Sequence, residues 1–220
     1  MATCTDSYKI EFPKQSGPEE VANTVTHGVG MVLSIAGTVA LLVLALYHQA
    51  TVGQLLATSV YGISLTAVYA ASTLSHAFQH PRRKQFFRVL DQAVIYCLIA
   101  GTYTPFILAY LPPQRKWLVL AFVWTLAALG FLSKAFLKHR IEAVVVANYI
   151  LLGWLPAMAM VSLMPLDCMA WMACGGVLYT VGTLFLTYDQ QVPFFHATWH
   201  LCVLAASAFH FFAVVHYTIL

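Results

Sequence analysis

Apolar residues in this chain gather in long runs, without the polar face that recurs every 3.6 residues in a helix lying against water. Seven runs stand out, at 26–47, 54–78, 89–111, 115–133, 141–164, 168–187 and 196–219. A helix needs about 20 mostly apolar residues to cross the hydrocarbon core of a bilayer. Short polar or basic breaks separate the runs: HQATVGQ, QHPRRKQFFR, LPPQRK, KAFLKHR, PLD and YDQQVP. The predicted fold class is an all-α integral membrane protein with seven transmembrane helices, because backbone groups in lipid must be hydrogen-bonded within their own segment. Segments of about ten alternating residues, the mark of a membrane β-barrel, are absent. Residues 23–220 read as one membrane domain, preceded by a short polar segment, 1–22, that lacks the early apolar run of a cleavable signal peptide.

Composition agrees. Of 220 residues, 60% are hydrophobic and 9% charged, against about 25% charged in an ordinary soluble domain. So few charges cannot cover a water-facing surface, and lipid must be the main solvent. The formal charge of +3 comes from a few loops, and no basic stripe points to nucleic acid. Five cysteines with no C-x-x-C pair read as small packing residues.

The cations set the orientation. Lys9 and Lys14, Arg82, Arg83, Lys84 and Arg88, and Lys134, Lys138 and Arg140 fall on one side, leaving Arg115 and Lys116 on the other. This bias predicts a cytoplasmic N-terminus and an extracytoplasmic C-terminus. The expected location is the cell inner (plasma) membrane, as a multi-pass protein.

With a direction assigned, each intramembrane polar group acquires a depth. Ser72 and His76 fall at the cytoplasmic end of the second span, Asp91 in the first turn of the third, and His196 and His200 in the first two turns of the seventh. Ser72 and His76 share a helix face, as do His196 and His200, being four residues apart. Two imidazoles one turn apart, with a third from another helix, make a set of three nitrogen ligands that leaves a fourth position open, the pattern of a catalytic zinc site. Imidazole also suits iron, nickel and copper. An intramembrane carboxylate is costly unless partnered, which makes Asp91 a functional candidate, although pairing with Arg88 or capping the third helix would also account for it. His27 begins the first span at the same depth and stays unassigned. His80 reads as interfacial, and His210 and His216 lie too far along the seventh span to join the cluster.

EEVANTVTHGVG at 19–30, ASTLSHAF at 71–78, LDQAVIYCLIAGTYTPF at 90–106 and HATWHLCVLAASAFHF at 196–211 resemble the hemolysin III proteins, a family related to the progestin and adiponectin receptor superfamily. The resemblance implies that His76, His196 and His200 hold zinc, with Asp91 and Ser72 beside the water at the metal. It leaves the role of His27 open.

Two functions follow as expectations. In the first, a zinc-dependent hydrolase acts on a lipid amide or ester, with Asp91 as general base and Ser72 as hydrogen-bonding partner. Ceramide-like substrates are suggested by analogy with the receptor branch. In the second, a non-enzymatic hemolysin-type cytolytic or membrane-lipid homeostasis protein carries a structural zinc. Membrane lipids are the expected partners, nucleic acid is not expected, and assembly as a homo-oligomer is left open.

Overall fold

The computed structural model describes residues 15–136 and 142–220, the side chains of residues 142–144 excepted. Lys9, Lys14, Lys138 and Arg140 of the charge argument lie outside the described residues. Seven helices follow one another: α1 (Gly17–Tyr47), α2 (Val52–Ala77), α3 (Pro81–Tyr110), α4 (Pro113–Phe136), α5 (Glu142–Met160), α6 (Leu166–Thr187) and α7 (Phe195–Val214). One π-helical turn, Val215–Ile219, prolongs α7. All the helices except α5 are long and apolar enough to span a membrane; the apolar part of α5, Val145–Met160, is shorter. The protein is a multi-pass membrane protein, as its apolar runs predict.

Each helix packs chiefly on its neighbours in sequence, and α7 returns to α1 to close the bundle. α2 and α3 form the centre, contributing Tyr61, Tyr69, Phe106 and Ile107 to the fully enclosed core. α4 fully buries only Val123 and Ala127, while Leu120, Trp124 and Phe131 pack part-buried against the core and Trp117, Leu118, Phe122 and Leu129 are exposed. α1 is polar inside and apolar outside, the reverse of a soluble helix. Its buried stripe includes Glu20, Asn23, His27 and Ser34, while Val21, Val25, Val32 and Val39 are exposed, as a lipid-facing surface requires. The described cysteines Cys97, Cys168, Cys174 and Cys202 are all free.

Two helices, α1 and α3, begin well before their apolar runs, and both extensions serve the site. α1 starts at Gly17, where the Ser16 N–H and hydroxyl both donate to Glu19, at 2.9 and 2.6 Å. α3 starts at Pro81, so the basic stretch PRRKQFFR is helical and only Phe78–His80 separates it from α2. Proline suits the first helical position, because its missing N–H would be unpaired there anyway. Asp91 therefore does not occupy the first turn of α3 as expected: it lies ten residues after Pro81, about 15 Å along the axis. It does not cap the helix.

Candidate metal and catalytic site

At the end of the bundle where α1 begins, the last turn of α2 and the first two turns of α7 meet. One ring nitrogen from each of His76, His196 and His200 lies within 4.8 Å of the others. Ring centroids are 4.7 Å apart for His196 and His200, 5.0 Å for His76 and His196, and 5.3 Å for His76 and His200. His76 and His200 are buried, and His196 is partly exposed. The histidine set read from spacing and depth is thus brought together.

The partners of these rings assign their tautomers. His76 Nδ1 lies 2.7 Å from Glu20 Oε2, and His196 Nδ1 lies 2.7 Å from Asp189 Oδ2. An ionised carboxylate only accepts, so both Nδ1 atoms carry the proton. His200 Nδ1 lies 3.1 Å from Thr26 Oγ1. That hydroxyl directs its single hydrogen to the main-chain oxygens of Ala22 and Asn23, at 2.9 and 3.1 Å, so it accepts from the ring. In all three rings the remaining Nε2 holds the lone pair. Imidazoles oriented through the other nitrogen by carboxylates and hydroxyls characterise protein metal sites. The donor set therefore fits a divalent transition-metal ion with three neutral nitrogens.

Glu20, Thr26 and Asp189 were absent from the sequence-level candidates. Glu20 also receives Lys84 Nζ and lies 3.5 Å from Arg88 Nη2, so the extended ends of α1 and α3 hold each other through the carboxylate that orients His76. Glu19 works beside it. Its Oε1 accepts the N–H of Phe194 at 3.0 Å, and Phe194, just before α7, has φ 64°. A bulky residue seldom adopts this left-handed conformation, and here it precedes the helix that carries two of the three histidines.

Asp91 and Ser72 line the same cavity as the triad, a space of about 410 Å³ that also reaches His27. Ser72 is buried, Asp91 is partly exposed, and the serine Oγ comes close to the carboxyl without a well-formed hydrogen bond. Buried side-chain atoms without a partner among the described residues are Asn23 Oδ1, both nitrogens of His27, Tyr61 Oη and Ser72 Oγ. Of these, the His27 and Ser72 atoms border this cavity. Deeper in the bundle, Ile95, Leu98, Tyr149 and Trp199 line both it and a second, apolar cavity of about 120 Å³ between α3, α5, α6 and α7. A polar end with metal-type ligands thus adjoins a space suited to hydrocarbon.

Sequence comparison places the chain among known proteins. The profile of the family described as "Haemolysin-III related" matches residues 16–211. Hemolysin-3 of Bacillus cereus is 41% identical over 207 residues, which cover 91% of this chain and 92% of that protein. The hemolysin-3 homolog of Bacillus subtilis is 37% identical over 204 residues, covering 91% and 95%. The human monocyte to macrophage differentiation factor is 31% identical over 210 residues, covering 90% and 84%.

Proposed function

Because the chain belongs to the haemolysin III family, we propose that it is a zinc-dependent hydrolase of the inner membrane, cleaving a lipid amide or ester at a site open to the cytoplasm. One observation carries this reading. Three imidazoles with converging ring nitrogens share a cavity with the Asp91 carboxyl and the Ser72 hydroxyl, and apolar space lies directly beyond. A metal held only to tie α2 to α7 needs neither the carboxylate nor the adjoining space.

In this reading His76, His196 and His200 hold the ion. Zinc, when bound, supplies Lewis acidity that lowers the pKa of a water to about 7 and polarises a carbonyl. The Asp91 carboxylate takes the proton of the attacking water as its oxygen bonds to the acyl carbon. Asp91 then returns that proton to the nitrogen or oxygen of the breaking C–N or C–O bond, releasing an amine or alcohol and a fatty acid. Ser72 Oγ, close to Asp91, donates to an oxygen of the substrate. The apolar cavity takes the acyl chain.

The test is Asp91→Asn in protein purified from membranes, with metal content and the turnover of ceramides and fatty-acyl esters as readouts. The amide is nearly isosteric but cannot accept the proton. About one zinc per chain is expected in both proteins, with turnover in the variant reduced about 10²–10⁴-fold. Full turnover by Asp91→Asn would remove the general-base role. Wild-type protein that holds zinc and melts higher with it, yet hydrolyses none of these lipids, would favour the non-enzymatic protein with a structural metal.

A further inference from the structure

One buried histidine beside the triad has no part in the chemistry above. His27 of α1 is 3% exposed and stacks on His200, with ring centroids 3.5 Å apart and planes 14° apart. Tyr69 meets it edge-on at 5.1 Å. These contacts fix the plane of the ring without using either nitrogen, and neither nitrogen makes a well-formed hydrogen bond to the described residues, although the ring comes close to the main chain of His200. The other buried histidines differ: His76, His200 and His210 each engage Glu20, Thr26 or the Met172 carbonyl. An imidazole always offers at least one N–H, and burying a donor without an acceptor is costly. His27 also stands outside the group of converging ligand nitrogens, while lining the same cavity as Ser72 and Asp91.

We propose that His27 is a recognition residue, whose ring N–H donates a hydrogen bond to an oxygen of the acyl group that occupies this cavity. The ligand class is a fatty carboxylate or the carbonyl from which it derives. The inference rests on the hydrolase reading for the chemical nature of the occupant, but its geometry comes from His27 alone. Stacked on a ring whose Nδ1 is held by Thr26, the imidazole is set in place before the ligand arrives, so little ordering cost remains on binding.

The experiment measures decanoate binding by calorimetry to the full-length protein in detergent, zinc-loaded and metal-free. His27→Phe keeps a planar ring that can stack but removes both nitrogens. Its zinc stoichiometry should match the wild type, and its decanoate affinity should fall at least about tenfold, the loss expected for a hydrogen bond to a charged group. His27→Gln, which restores an N–H, should bind decanoate more tightly than His27→Leu. That pair decides the matter if the Phe variant does not fold. Equal decanoate affinity in wild type and His27→Phe, or in the Gln and Leu variants, would overturn the proposal. Loss of zinc from His27→Phe would also overturn it, by making His27 a ligand. Wild-type protein that takes up no zinc would defeat the metal reading instead, and the metal-free titrations would still decide His27.

Discussion

His200 and His210 lie on the same helix, are both buried, and each place one ring nitrogen 3.1 Å from an oxygen of another helix. The oxygens differ. His210 bonds through Nε2 to the main-chain carbonyl of Met172, with its ring pressed against Gly175. His200 bonds through Nδ1 to a side-chain hydroxyl, and its ring sits among those of His27, His76 and His196. The first arrangement ties α7 to α6. The second orients a lone pair toward other lone pairs, an arrangement suited to sharing a cation. Burial and residue type do not separate the two. What separates them is the partner of one nitrogen and the company of the other.

The strongest break in this comparison is His200→Ala against His210→Ala. The first should abolish stoichiometric metal binding, and metal analysis of the purified proteins checks it. The second should leave metal content unchanged while lowering the melting temperature, for a cost of about 1–3 kcal/mol from the carbonyl left unpaired. Equal metal loss in both would show that the whole helix, not the triad, governs uptake.

Glu20→Gln sharpens the comparison one step out from the ligands. The amide can still accept from His76 Nδ1, but the fixed negative charge between His76, Lys84 and Arg88 is gone. Metal affinity should fall about 10–100-fold, read by competition with a chelator, with the helix content unchanged. An unaltered affinity would mean that Glu20 serves only to clamp α1 to α3.

The smallest effect is expected on the structural side. A Cβ at Gly175 would fall 2.4 Å from His210 Cδ2 and Nε2 and 3.1 Å from the Ala206 carbonyl. Gly175→Ala should therefore cost about 1–3 kcal/mol through overpacking, visible in thermal melts, with metal content at the wild-type level.

Helices and triad were legible in the sequence for one physical reason: lipid imposes length and apolarity on every span, and helix direction then converts residue number into depth. His76, His196 and His200 needed nothing more. The basic stretch PRRKQFFR read as a break because hydropathy registers charge and not helix propensity, although Arg, Lys and Gln are good helix formers. That misplaced Asp91 relative to the start of α3. The orienting residues were harder, because Glu20 and Thr26 meet histidines 56 and 174 residues away, pairings that no local pattern contains. One signal was present: Glu20, His27, Ser34 and Leu41 recur every seven residues on the buried side of α1. In a lipid-facing helix, a polar stripe at helical spacing marks the inward face.

The contacts of Glu19 with Phe194 and of Thr26 with His200 join the first helix made to the last, across 175 and 174 residues. During synthesis α1 leaves the ribosome with its inner stripe unmatched and must wait for α7 before Glu19 and Thr26 find these partners. Loop-closing contacts of such separation form late. Until they do, the left-handed turn at Phe194 lacks its acceptor and His200 lacks its tautomer. Capture of an ion by the triad would thus be the final event of biogenesis, and a chain truncated before α7, or inserted with α7 misthreaded, would fill its place in the bilayer with the triad incomplete.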